Sequence, residues 1–150
     1  MQPEEIQKII HQAADAWIQQ DADRFASLFT PNGEFIVPGM RWVGQEAIRQ
    51  AMVDFAATAS AVSISISHIL VGSNSFQDSL LQNPSFQDPQ TQHALVEWHW
   101  EDTEKSTGQR HQADDAIAID FRNGYISRWR EYIDAQSCAA IKTNPDIPSL

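Results

Sequence analysis

The sequence holds a single cysteine, Cys138, in 150 residues. No disulfide can form within the chain, and the composition suits a reducing cytoplasm. Followed by Ala139 and Ala140, that cysteine reads as a small packing residue rather than a nucleophile. Basic residues are also scarce: 10 Lys and Arg stand against 20 Asp and Glu, a formal net charge of -10. A field of that sign repels phosphate backbones and anionic headgroups, which argues against nucleic acid and membrane surfaces as partners. No apolar run approaches the length of a membrane span, and the opening MQPEEIQKII carries acids where a signal peptide carries a positive n-region. Gly-rich phosphate loops, nucleophile elbows and zinc spacings are missing as well. What remains, at 42% hydrophobic, fits one domain over 1–150 that builds its own core.

The apolar residues that are present are patterned. Ile6, Ile9, Ile10, Ala13, Ala14, Trp17 and Ile18 recur at three- and four-residue spacing and predict a helix from about Pro3 to Gln20. Asp21 can cap a second helix, Ala22 to Phe29, which Thr30-Pro31-Asn32-Gly33 would stop. A short strand, Glu34 to Val37, precedes a third helix over Gln45 to Thr58. From Val62 the period becomes two, with Val62, Ile64, Ile66, His68 and Leu70 on one face, and further strands follow near 93–101, 109–121 and 125–133. Helices first and an antiparallel meander afterwards predict an α+β fold, a cone-shaped barrel in which a curved, mainly antiparallel sheet wraps N-terminal helices. The core spans about 4–134, followed by a tail over 135–150. A long connection over 72–92 repeats Ser-Phe-Gln-Asp at 75–78 and 85–88. Its Phe76, Leu80, Leu81 and Phe86 could close over a pocket, or the segment could be plainly flexible.

The candidate site depends on the turn Phe121-Arg122-Asn123-Gly124-Tyr125. A two-residue loop would pair Ile119 with Arg128 and Ile117 with Arg130, placing arginines on the apolar face. A three-residue loop would pair Phe121 with Tyr125, Ile119 with Ser127, Ile117 with Trp129, Asp115 with Glu131 and Ala113 with Ile133. Burying an unpaired arginine is costly, so the second register is expected. Asp115 and Glu131 then face each other with side-chain roots about 5 Å apart. At an effective dielectric near 20 their charges would repel by roughly 3 kcal/mol, enough to hold one proton well above the ordinary carboxylate range. Such a pair can donate and accept protons, although perturbed carboxylates also occur in purely structural networks.

On the preceding strand, Trp98 and Trp100 fit the concave face beside His111 and Asp115, leaving Glu97, His99 and Glu101 outward, with Glu101 within reach of Arg110. No second histidine has ligand spacing beside His99, so no metal is expected. His111 is expected at the rim. His68, on an apolar face, is a core histidine or a pocket residue. Trp17, Phe35, Trp42, Ile117 and Trp129 complete the expected pocket wall.

Three stretches carry a family resemblance: Asp21-Ala22-Asp23-Arg24-Phe25-Ala26-Ser27-Leu28-Phe29, Trp42-Val43-Gly44-Gln45-Glu46-Ala47-Ile48, and Asn123 through Asp134 with its Trp129-Arg130-Glu131-Tyr132-Ile133-Asp134. The chain resembles the SnoaL-like group of the nuclear transport factor 2-like superfamily over about Ile6 to Asp134. That resemblance implies a cone-shaped α+β barrel with an apolar pocket, often a homodimer through the outer sheet face. The group includes ketosteroid isomerases, polyketide cyclases, dehydratases, limonene-epoxide hydrolase and non-catalytic binding modules, so the fold alone does not choose a reaction. The hydrolase's terminal Trp-Arg-Asp-Tyr-Phe-Asp lies against Trp129 to Asp134 and carries a catalytic carboxylate to Glu131. Its inward Arg and Asp fall at Val96 and Trp98, its early-strand Tyr and Asn fall near Phe35 and Val37, and the isomerases' base falls at Val37. None of those groups is kept.

Two functions follow as expectations. One is a cofactor-independent isomerase, cyclase, dehydratase or hydrolase acting on a small hydrophobic molecule, with Asp115 and Glu131 exchanging protons between aromatic walls. The other is a non-catalytic ligand-binding or dimeric module. An open cavity holding both carboxylates would favour the first, and a filled interior the second.

Overall fold

The computed structural model describes residues 1–72 and 91–136. The order is α1 (Pro3–Gln19), α2 (Ala22–Ser27), β1 (Phe29–Val37), β2 (Met40–Val43), α3 (Gln45–Thr58), β3 (Ala59–Gly72), β4 (Thr91–Glu104), β5 (Arg110–Arg122) and β6 (Tyr125–Gln136). Six strands form one sheet in the order β2-β1-β6-β5-β4-β3. Only β1 and β6 run parallel. The architecture is the expected α+β, with a mixed sheet that stays open between its β2 and β3 edges. The Ser-Phe-Gln-Asp repeat, Phe76, Leu80, Leu81, Phe86, Cys138 and the tail beyond 136 lie outside the described residues.

Local chemistry sets the helix bounds. The Glu5 carboxylate accepts the Gln2 backbone N–H at 2.8 Å, satisfying one free donor of the first turn of α1. Gln20 turns left-handed (φ 53) and ends the helix. Asp21 caps α2 as expected, accepting the Arg24 N–H at 3.1 Å. That helix ends before Phe29, because Ile126 of β6 donates its N–H to the Leu28 carbonyl at 2.8 Å and captures the chain as strand. Thr30 to Gly33 therefore lie within β1, in an irregularity between the pairs Phe29–Ile126 and Glu34–Arg128. Strand β2 was not anticipated; it follows a tight turn at Pro38-Gly39, where Gly39 sits at φ 79.

Two bulges govern which side chains reach the interior. In β3 the pairing passes from Ile66–Trp98 to His68–Glu97, so Ser67 is extra. Ile69 and Val71 turn inward against the core, while His68 and Leu70 point outward. The expected continuous face from Val62 to Leu70 is thus broken, and His68 leaves the inner face for the outer one. In β6 the turn is the two-residue loop, with Asn123 at φ 51 and Gly124 at φ 85, both left-handed. Arg122 pairs with Tyr125 and Phe121 with Ile126, after which Ser127 is bulged out and Asp120 pairs with Arg128. The bulge restores the inward parity of Trp129 and Glu131 and keeps Arg128 and Arg130 off the apolar face. The cost of burying arginine is avoided by neither of the two uniform registers, but by a tight loop and one extra residue.

Candidate functional site

The inner face of β4, β5 and β6 carries Trp98, Trp100, Asp102, Ala113, Asp115, Ile117, Trp129 and Glu131, placed there by strand alternation. Asp115 is registered against Trp98 on one side and Ile133 on the other, and Glu131 lies across from Ile117. The expected pairs Asp115–Glu131, Ile117–Trp129 and Ala113–Ile133 are therefore displaced: Ile119 faces Trp129 and Ala113 faces Ala135. Asp115 and Glu131 still share the face, as diagonal neighbours.

Each inward carboxylate takes a hydrogen bond from an indole. Trp98 Nε1 donates to Asp115 Oδ2 at 2.9 Å, Trp129 Nε1 to Glu131 Oε1 at 2.8 Å, and Trp100 Nε1 to Asp102 Oδ2 at 2.7 Å. Asp115 is 4% exposed, and its Oδ1 is a buried acceptor without a hydrogen-bond partner among the described residues. Burial raises the Asp115 carboxyl above its usual range; the Trp98 bond opposes that shift, neighbouring Asp114 adds to it and His99 subtracts. Glu131 is partly exposed as a residue, yet burial of its carboxyl, followed by the charge of Asp115, pushes it up from 4.5 to about 8 against the Trp129 bond. Glu131 thus keeps its proton near neutral pH, held there by burial first and by the charge of Asp115 second.

The aromatic residues expected as pocket walls pack on one another. Trp17, Phe25, Trp129, Trp98 and Trp100 close a ring of contacts with centroid spacings of 5.1, 5.8, 5.6, 6.4 and 5.5 Å in that order and back to Trp17. Phe35 is buried and stacks on half-buried Trp42 at 5.3 Å. Trp98, Trp129 and Ile117 are fully buried. These side chains form the core. The Trp17 indole N–H is itself a buried donor without a partner among the described residues. His111 sits exposed at the rim, its Nδ1 3.5 Å from Asp102 Oδ1.

A cavity of about 430 Å³ opens where the β1–β2 hairpin leaves β6, bordered by Ile36, Val37, Met40, Arg41, Arg130, Glu131 and Tyr132. A second hollow of about 210 Å³ lies on the outer sheet face between His68, Leu70, Leu95 and Tyr132.

The model of the SnoaL-like domain matches residues 10–129. The chain belongs to the SnoaL-like domain family. Solved structures of the same fold include a ketosteroid isomerase-like protein from Catenulispora acidiphila in complex with trimethylamine, with TM-score 0.66, 17% identity, and 88% of this chain and 86% of that one covered. An LEH-like epoxide hydrolase from M. tuberculosis aligns with TM-score 0.64, 15% identity, and 87% and 84% covered. TsrD from Streptomyces laurentii aligns with TM-score 0.67, 13% identity, and 89% and 91% covered. At these identities the likeness is one of fold. No curated protein matches.

Within this SnoaL-like domain, Glu97, His99 and Glu101 face outward as expected, and Glu101 reaches Arg110 at 3.9 Å. His99 pairs instead with Asp114 at 2.8 Å and His93 with Asp120 at 2.7 Å. Among the described residues no group of three potential ligands is placed to hold a metal. Sequence inspection missed Asp102, although the alternation that turns Trp98 and Trp100 inward also turns Asp102 inward. It also missed the cavity, which depends on the unanticipated strand β2.

Proposed function

We propose that this SnoaL-like domain binds a small hydrophobic molecule and exchanges protons with it through Glu131, with Asp115 as the second member of the pair. The observation that carries this is the shared inner face. Two neighbouring carboxyl groups there have indole donors in place of a cation, and one of their four oxygens, Asp115 Oδ1, is fully buried without a hydrogen-bond partner among the described residues. Glu131 borders the 430 Å³ cavity and would act as the acid near neutral pH, while Asp115 would take up charge behind it. Isomerase, cyclase, dehydratase or hydrolase chemistry of this kind needs no cofactor.

The test is a carbon-detected NMR titration of both carboxyls. Glu131 should titrate near 8 and fall in Asp115→Asn, which removes the neighbouring charge. Independent titration of both groups in the ordinary range would sink the proposal. A second reading is favoured by the packed aromatic ring: a non-catalytic module that assembles as a homodimer through the outer sheet face. Leu70, Leu95 and Tyr132 are 65%, 56% and 54% exposed there, around the second hollow.

A further inference from the structure

The same cavity contains cationic chemistry that the acid/base reading does not use. Strand β1 pairs with β6 only as far as Ile36–Arg130, while β6 runs on to Gln136. The hairpin turn diverts the chain, and a gap opens beside the last shared pair. Two arginines border the gap. Arg41 is neutralised by Glu34, at 2.5 Å. Arg130 makes no ion pair with a described residue; its guanidinium carbon lies 5.0 Å from the centroid of the Tyr132 ring, which stacks it in place. The chain as a whole carries a formal charge of -10, so an uncompensated guanidinium at a cavity runs against the molecule's general character. Ile36, Val37 and Met40 supply an apolar wall beside it.

We infer that this cavity is a site for a small amphipathic carboxylate, whose charged end is held by Arg130 and whose apolar body lies along Ile36, Val37 and Met40. A planar guanidinium matches a carboxylate with two parallel hydrogen bonds, and an apolar wall adds affinity that inorganic phosphate would not gain. This deepens the acid/base reading by naming a substrate class for the shared cavity. It rests on that reading for the link to catalysis alone, since binding can be measured independently of the carboxyl titration.

The experiment is an amide-detected NMR titration of the full chain with three probes: phenylacetate, neutral phenylacetamide and inorganic phosphate. Phenylacetate should saturate, shifting the amides of Val37, Met40 and Arg130 to Tyr132, and should bind at least tenfold tighter than phenylacetamide or phosphate. Arg130→Met should weaken phenylacetate at least tenfold, and Arg130→Lys by less, with both variants keeping the spectrum of the folded protein. Equal binding of phenylacetate and its amide, preference for phosphate, shifts confined to other surfaces, or an unchanged Arg130→Met would each overturn the assignment. If phenylacetate binds while Glu131 and Asp115 titrate normally, the carboxylate site stands and the acid/base reading fails. If the pair titrates as proposed but charge makes no difference to binding, the reverse holds.

Discussion

Asp115 and Glu131 are diagonal neighbours on the inner face of the sheet, one registered against Ile133 and the other against Ile117. Diagonal roots lie about 7–8 Å apart, where two charges at an effective dielectric near 20 repel by roughly 2 kcal/mol, less than the roughly 3 kcal/mol of direct opposition. Burial therefore leads and mutual repulsion follows in raising Glu131. The bulge at Ser127 sets this order: it preserves the shared face while shifting the partner by one pair.

This arrangement gives stability a definite pH dependence. The Glu131 carboxyl is held at about 8 in the folded chain against an ordinary 4.5, so between these values the folded state binds the extra proton. Stability is then greatest below about 4.5, declines as pH rises toward 8 and levels off above. Asp115, raised in the same direction, adds to the decline. Glu131→Gln, neutral at every pH, should lose most of the slope, on the order of 2 kcal/mol after discounting for partial exposure. Urea unfolding of both proteins from pH 5 to 8.5 measures this, and parallel curves would count against a buried Glu131 carboxyl.

Trp98→Phe tests the indole cap. The side chain is 1% exposed and gives Asp115 its one side-chain hydrogen bond among the described residues. Its loss leaves both carboxylate oxygens without a donor and opens a void beside them. A cost of about 2–3 kcal/mol at neutral pH is expected. A packing defect alone would not move a titration, whereas loss of the donor should drive the Asp115 carboxyl further up. The carbon-detected titration separates the two.

Most of the architecture was legible because periodicity reports burial. The alternation in β4 placed Trp98 and Trp100 inward, and the stripe from Ile6 to Trp17 gave α1 to within a residue. The errors fall where the pattern slips by one residue without a compositional mark. Ser67 and Ser127 look like any other strand residue, yet each reverses or restores the faces that follow it. The site suffered more than the fold: His68 moved to the outer face, and the cavity arose from β2, whose Met40 to Val43 is too short for a periodic signal.

The outer face yields a prediction about assembly. Leu70 and Leu95 are directly paired, more than half exposed, and adjoin Tyr132 across the hollow. The homodimer proposed above would cover this contiguous apolar surface. Leu95→Glu should convert a dimer to a monomer in light scattering at micromolar concentration, with its far-ultraviolet circular dichroism unchanged. If the parent chain is itself monomeric under those conditions, the homodimer is excluded there.

Two glycines bordering the β1–β6 junction should respond differently to alanine, for different physical reasons. Gly33 has an ordinary backbone angle, but an added Cβ would stand 3.0 Å from Phe29 Cδ1 and 3.1 Å from the Ile126 carbonyl oxygen. Phe29 is fully buried and the carbonyl is backbone, so neither can yield without moving the strand pair. Overpacking of this sort costs typically about 1–3 kcal/mol. Gly39 has open space around it and a φ of +79, so Gly39→Ala meets only the strain of a left-handed residue, about 1 kcal/mol. Gly33→Ala should also disturb the amide signals of Phe29 and Ile126, whereas Gly39→Ala should affect the hairpin turn and the adjoining cavity. Equal destabilisation with identical spectral changes would mean that the close approach of β1 to β6 at Gly33 is not the constraint that fixes this junction.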